Sequence, residues 1–126
     1  MGKRLVVIEH AQPTVFDLGP VGDSVGDVRV FSNDLYDADN VAVVGTDQGF
    51  CLRTVVGTRM ECTWTNIFEN GTIVTQGAGL DATFAGAPMT VAITGGTGNY
   101  MGAKGEMTIT KLVDKDHQFT FTFELA

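Results

Sequence analysis

The chain is poor in the features that would let it hold nucleic acid, cross a membrane or bind a metal. Lys and Arg number 8 against 15 Asp and Glu, a formal net charge of -7. No basic stripe is available to neutralise phosphates and release their counterions, so nucleic acid is not an expected partner. Long apolar runs are missing too, which argues against a membrane span. The nearest approach, Leu5-Val6-Val7-Ile8 after Lys3-Arg4, is cut off by Glu9-His10 before a signal-peptide core could form. A cytoplasmic protein without a targeting extension is the expectation.

Several chemistries fall away for want of residues. His10 and His117 lie far apart in a chain without Cys/His ligand spacing, which argues against zinc. Asp34, Asp37 and Asp39 lack the glycine and the distal Glu of a calcium loop and read as a solvated acidic turn. There is no Gly-x-Ser-x-Gly elbow. The run Thr94-Gly95-Gly96-Thr97-Gly98 lacks the Gly-Lys-Ser/Thr ending and the following helix of a phosphate loop, and reads as a glycine-rich hairpin turn reaching Asn99. No cofactor is called for. The two cysteines, Cys51 and Cys62, flank a turn at Gly57-Thr58-Arg59 and would stand nearly opposite each other in a hairpin. A cytosolic compartment keeps thiols reduced, so they are expected as two small, half-buried apolar side chains.

What the sequence does contain is strand-forming. Its 126 residues suffice for one domain, 1–126, and leave no length for a separate cofactor domain. The chain holds 16 Gly and only 3 Pro, and its apolar residues alternate with Thr, Ser and Gly instead of recurring at helical spacing. That pattern predicts an all-β fold. Strands are expected at 3–10, 27–36, 41–56, 59–69, 72–84, 89–95, 103–113 and 118–125, with a long non-periodic excursion over 11–26. Eight strands joined by short turns, one of them at Asn70-Gly71, predict an antiparallel up-and-down β-barrel whose apolar lumen has room for side chains or one small ligand.

The stretch 31–53 organises the rest. Its first half, from Val28 on, is a strand that ends in the polar cluster Asp37-Ala38-Asp39-Asn40. Its second half carries Gly45 and Gly49 inside a strand-forming run, the mark of a bent strand whose backbone passes close to something. Alternation places Arg29, Phe31, Asn33 and Leu35 on one face, and Asp47, Gly49, Cys51 and Arg53 on one face of the next strand. In Phe119-Thr120-Phe121-Thr122-Phe123 three rings share a face, suited either to the lumen or to an oligomer contact. Among polar residues, Glu9 and Asn33 stand out, although a Glu at a strand end is usually solvated and Trp64 is usually core.

The order of these motifs resembles the allene oxide cyclase barrel family. The resemblance rests on Val7-Ile8-Glu9, on Gly26 through Tyr36, on Val44-Gly45-Thr46-Asp47-Gln48-Gly49-Phe50-Cys51, and on Ala92-Ile93-Thr94-Gly95-Gly96-Thr97-Gly98 with Gly102-Ala103-Lys104-Gly105. Plant dirigent proteins share the last two. Bacterial cyclases that close spirotetronate polyketides by a Diels–Alder reaction are similar around Asp34-Leu35-Tyr36-Asp37. The chain departs from the family at Ala11, where an Asn is usual, and at Gln76-Gly77-Ala78, where a Pro and then a Tyr are usual.

The resemblance implies a cyclase or isomerase that folds a flexible, conjugated, apolar substrate, polyketide or fatty-acid derived, inside the lumen and promotes a pericyclic ring closure without a cofactor. Glu9 and Asn33 match the catalytic pair, in which the Glu assists epoxide opening and the Asn helps hold a water. Phe31 and Cys51 match lumen residues. With Trp64, Asn66 and Phe68 they make the expected substrate-binding set. The alternatives are a dirigent-like protein that steers a reactive intermediate without catalysis, or a carrier for a hydrophobic ligand. The expected partner is a small hydrophobic molecule, and apolar outward faces are compatible with a homo-oligomer, dimer or trimer.

Overall fold

A computed structural model describes residues 2–126. Nine strands form one antiparallel sheet: β1 (Lys3–His10), β2 (Thr14–Phe16), β3 (Val28–Tyr36), β4 (Val43–Val55), β5 (Arg59–Phe68), β6 (Gly71–Leu80), β7 (Met89–Gly98), β8 (Gly105–Lys111) and β9 (Gln118–Leu125). Neighbours follow chain order from β2 to β9, β9 pairs with β1, and β1 pairs with β3 to close the cylinder. The barrel is therefore eight-stranded and up-and-down, with β2 added along the N-terminal half of β3. Closure removes the sheet edges everywhere except at β2.

Three details differ from the sequence-based expectation. The 11–26 excursion contains β2, whose three residues are all exposed and so carry no inside-outside alternation. The strand expected to reach residue 84 stops at Leu80, and Asp81–Ala85 turns into a short 3-10 helix. The glycine run is strand, not turn: Gly95, Gly96 and Gly98 pair with Val74, Ile73 and Gly71. At Gly96 a Cβ would run into the carbonyls of Tyr100 and Thr72, so the glycine lets β7 lie against its neighbours, and the actual turn follows at Asn99.

Gly45 and Gly49 show what the bend in β4 requires. A Cβ at Gly45 would overlap the Ile67 carbonyl and one at Gly49 the Thr63 carbonyl, both on β5. The bent strand leans on its neighbour where the side chain is missing.

Inside, the barrel is divided. One half is filled by Val7, Leu35, Ile73, Met107 and Phe123, each at most 1% exposed, with Phe68 packed edge-on against Phe123 and tilted against Tyr100. The other half, toward the C-terminal ends of β1, β4, β6 and β8, holds a cavity.

Candidate functional site

Strand register stacks the inward residues of β3, β4 and β5 in layers. Above the packed half come Asn33, Asp47 and Asn66, directly paired across the three strands. The next layer is Phe31, Gly49 and Trp64, and the one above it Arg29, Cys51 and Cys62. The absence of a side chain at Gly49 leaves room for the two flanking rings, whose centroids are 6.3 Å apart. The cavity opens over these layers and has a volume of about 120 Å³.

The floor is polar and buried. Glu9 on β1 and Asn33 on β3 are each only 6% exposed, and both line the cavity. Asn33 Nδ2 donates to Glu9 Oε2 at 3.2 Å, and the Gln12 backbone N–H donates to Asn33 Oδ1 at 2.8 Å. The second bond fixes the amide so that its NH2 faces the carboxyl. Beneath the floor, Asp47 is fully buried and neither of its oxygens is in hydrogen-bonding geometry with a partner. Asn66 donates to the Ile73 carbonyl at 3.0 Å and to Thr75 Oγ1 at 3.3 Å, and its own Oδ1 is unpartnered.

Two carboxyls in so dry a place resist ionisation. Glu9 is pushed well above the ordinary carboxylate range, first by burial and second by the neighbouring Asp47 carboxyl, against the opposing pull of Asn33. Asp47 is raised by burial, with Glu9 and Asn33 pulling the other way. A pair of this kind holds a proton that exposed carboxyls would have lost. Of the two, Glu9 is the member that faces the cavity.

The walls above are apolar: Phe31, Trp64, Met60, Ile109, Phe119 and Phe121 all contribute. Cys51 and Cys62 also line the cavity and are joined in a disulfide, with Cα atoms 4.1 Å apart. This corrects the expectation of two free thiols. Both side chains point inward from directly paired positions. Bridges of this kind persist mainly in oxidising compartments, which goes against the cytosolic premise of that expectation. No helix among the described residues is long and apolar enough to cross a membrane.

At the mouth lie Arg29, Thr83, Phe84, His117 and Pro13. The Arg29 guanidinium sits over the Phe84 ring at 5.4 Å, and Phe84 meets Phe119 edge-on at 5.7 Å. Arg53, also near this end, is committed elsewhere: its Nε pairs with Asp23 at 2.9 Å and its Nη1 with Asp81 at 2.7 Å.

Five of the seven residues singled out from the sequence therefore meet around one cavity: Glu9, Phe31, Asn33, Cys51 and Trp64. The structure does not bring Asn66 and Phe68 there. Asn66 is spent on the β5–β6 hydrogen bonds below the floor and Phe68 on the packed half. Sequence reasoning passed over Asp47 and Arg29, although each shares an inward face with a residue that was chosen. Thr83 and Phe84 gave no signal, because they lie in what reads as the end of a strand.

Fold and cavity together define a small antiparallel barrel with a largely apolar cavity in one half of its lumen. The chain belongs to the family described as "Allene oxide cyclase barrel like domain", whose model matches residues 8–123. No curated protein matches it in sequence. Among solved structures it is similar to a pyocyanin demethylase, with 28% identity, a TM-score of 0.82, and coverage of 98% of this chain and 100% of that one. It is also similar to an exo-specific intermolecular Diels–Alderase, with 18% identity, a TM-score of 0.73, and coverage of 99% and 98%. A pterocarpan synthase dirigent protein shares 16% identity with a TM-score of 0.76, over 99% of this chain and 87% of that one. At that level of identity, the last two likenesses speak to the fold alone.

Proposed function

We propose that this chain is a cyclase or isomerase, acting without a cofactor of its own, that folds a conjugated, largely apolar substrate of polyketide or fatty-acid origin in the cavity and promotes its intramolecular, pericyclic ring closure. The observation that carries this reading is a buried carboxyl, Glu9, whose ionisation is opposed by burial and by Asp47, held at the floor of an otherwise apolar cavity. A ring closure of this type moves electrons within one molecule, so most of the barrier can be lowered by holding the reacting ends together. Good intramolecular positioning supplies on the order of 7–11 kcal/mol. Phe31 and Trp64 provide the shape. Glu9, as the neutral acid, donates a hydrogen bond to a carbonyl or epoxide oxygen and stabilises the negative charge that grows there, a role strengthened by the dry surroundings. Asn33 holds the acid in place.

The demethylase, with the highest identity of the three and near-complete mutual coverage, favours a second reading in which the same cavity serves removal of a methyl group from a compound related to pyocyanin, the methyl carbon passing to water as methanol or, where a two-electron acceptor is supplied, leaving as formaldehyde. Product mass separates the two, since ring closure leaves the mass unchanged and demethylation lowers it. The test incubates purified protein with a linear conjugated polyene carbonyl compound and, separately, with pyocyanin. For the cyclase, Glu9→Ala slows ring closure on the order of 10²-fold, and Trp64→Ala scrambles its stereochemistry. Unchanged rate and stereochemistry in both variants would overturn the reading. A product formed only when an oxidase is added would point to dirigent-like steering.

A further inference from the structure

Two donors without partners line the cavity. Arg29 Nε and Thr83 Oγ1 are buried atoms with no hydrogen-bond partner, both residues line the cavity, and Thr83 is only 3% exposed. Arg29 takes part in none of the ion pairs formed among the described residues. Its guanidinium lies over the ring of Phe84, the residue next to Thr83. Leaving a guanidinium unpaired in a partly dry site is costly, and three carboxylates near this end are engaged elsewhere: Asp23 and Asp81 bind Arg53, and Asp27 accepts from Ser24 and the Leu18 N–H. Among the described residues that line the cavity, Arg29 is the one permanent cation.

We propose that the ligand is acidic, and that an anionic oxygen group on it, a carboxylate or an enolate, is bound between Arg29 and Thr83 at the mouth while its conjugated body fills the cavity toward Glu9. The proposal rests on the cavity being a ligand site, as read above, and adds the polarity of the ligand. A carboxylate supplies acceptors for both donors at once, the arrangement arginine is best shaped to exploit. The ends of the ligand are thereby told apart: the anion stays at the mouth, and the reacting part reaches the acid. In a chain of net charge -7, a general attraction cannot hold an anion, so a local cation must.

Cinnamate and its methyl ester provide a matched pair of conjugated probes, titrated calorimetrically into the wild type, Arg29→Gln and the shape-conserving Thr83→Val. Emission from Trp64, the single tryptophan, confirms entry into the cavity. The acid should bind at least about tenfold tighter than the ester in the wild type, as one charge-assisted contact warrants. That preference should vanish in Arg29→Gln and shrink in Thr83→Val. Equal binding of acid and ester with quenched Trp64 emission would overturn the acidic-ligand proposal and leave the cavity reading intact. An acid preference that survives in Arg29→Gln would overturn it as well. Failure of both probes to bind or to touch Trp64 emission would count against the cavity as a ligand site and take the proposal down with it.

Discussion

Replacing Asp47 by Asn should stabilise the protein at neutral pH, which is unusual for a change at a fully buried position. The wild-type carboxyl is 0% exposed with both oxygens unpartnered, and its ionisation is pushed up by burial. In the unfolded chain Asp and Glu ionise near 3.9 and 4.3. Above those values, and until the folded carboxyls ionise, the native state binds more protons than the unfolded state, so stability falls as the pH rises. Each raised carboxyl contributes up to about 1.4 kcal/mol per pH unit to that slope.

The Asn variant removes the contribution of Asp47 and part of that of Glu9, because the Asp47 carboxyl is the second cause of the Glu9 shift. Its amide also offers Glu9 a donor. Urea unfolding from pH 4 to pH 8, read by Trp64 emission, should give a flatter stability profile for Asp47→Asn than for the wild type, with the curves converging toward the acid end and diverging toward neutrality. A gain at pH 7 of about 1–3 kcal/mol is the scale expected for relieving one unsatisfied buried group. Parallel profiles, or a variant less stable at every pH, would refute the reasoning about the pair.

Reduction of the Cys51–Cys62 bridge, which closes a loop of sequence separation 11, should lower stability by about 3 kcal/mol on chain-entropy grounds; urea midpoints with and without dithiothreitol check this, and identical midpoints would show that no bridge forms in solution. Gly49→Ala forces a Cβ against the Thr63 carbonyl and to 3.1 Å from the Phe31 ring. It should cost about 1–3 kcal/mol in the same assay and alter ligand binding by moving Phe31.

The barrel was legible in the sequence because closure leaves a strong trace: alternating Thr and apolar residues, short turns, and glycines where β4 must bend over β5. What alternation could not show is which side of a strand end becomes a different element. Leu80 continues the β6 pattern, and nothing in Asp81-Ala82-Thr83-Phe84 announces the 3-10 helix that shapes the mouth. The site was legible in part. Family resemblance led to Glu9, Asn33, Phe31 and Cys51, and Trp64 was added as an aromatic suited to the lumen. Asn66 and Phe68 follow the same alternation on β5, but they lie too far along the strand, where the barrel is packed solid. Period 2 tells inside from outside and says nothing about depth. Asp47 was overlooked for the opposite reason: its inward position was plain, but burial beside a second carboxyl depends on β1, which pairs with β3 and β9 and is remote in sequence.

The account stands on Glu9 being a neutral acid at the floor of the cavity. Carbon-13 labelling of the glutamate carboxyls and a pH titration by NMR, with Glu9→Gln to assign the signal, reports its proton directly. Glu9 should keep the chemical shift of the neutral acid well above the pH at which exposed glutamates have ionised, and Asp47→Asn should bring its midpoint down toward them. Ionisation of Glu9 at the ordinary glutamate value of about 4.3 would contradict the account.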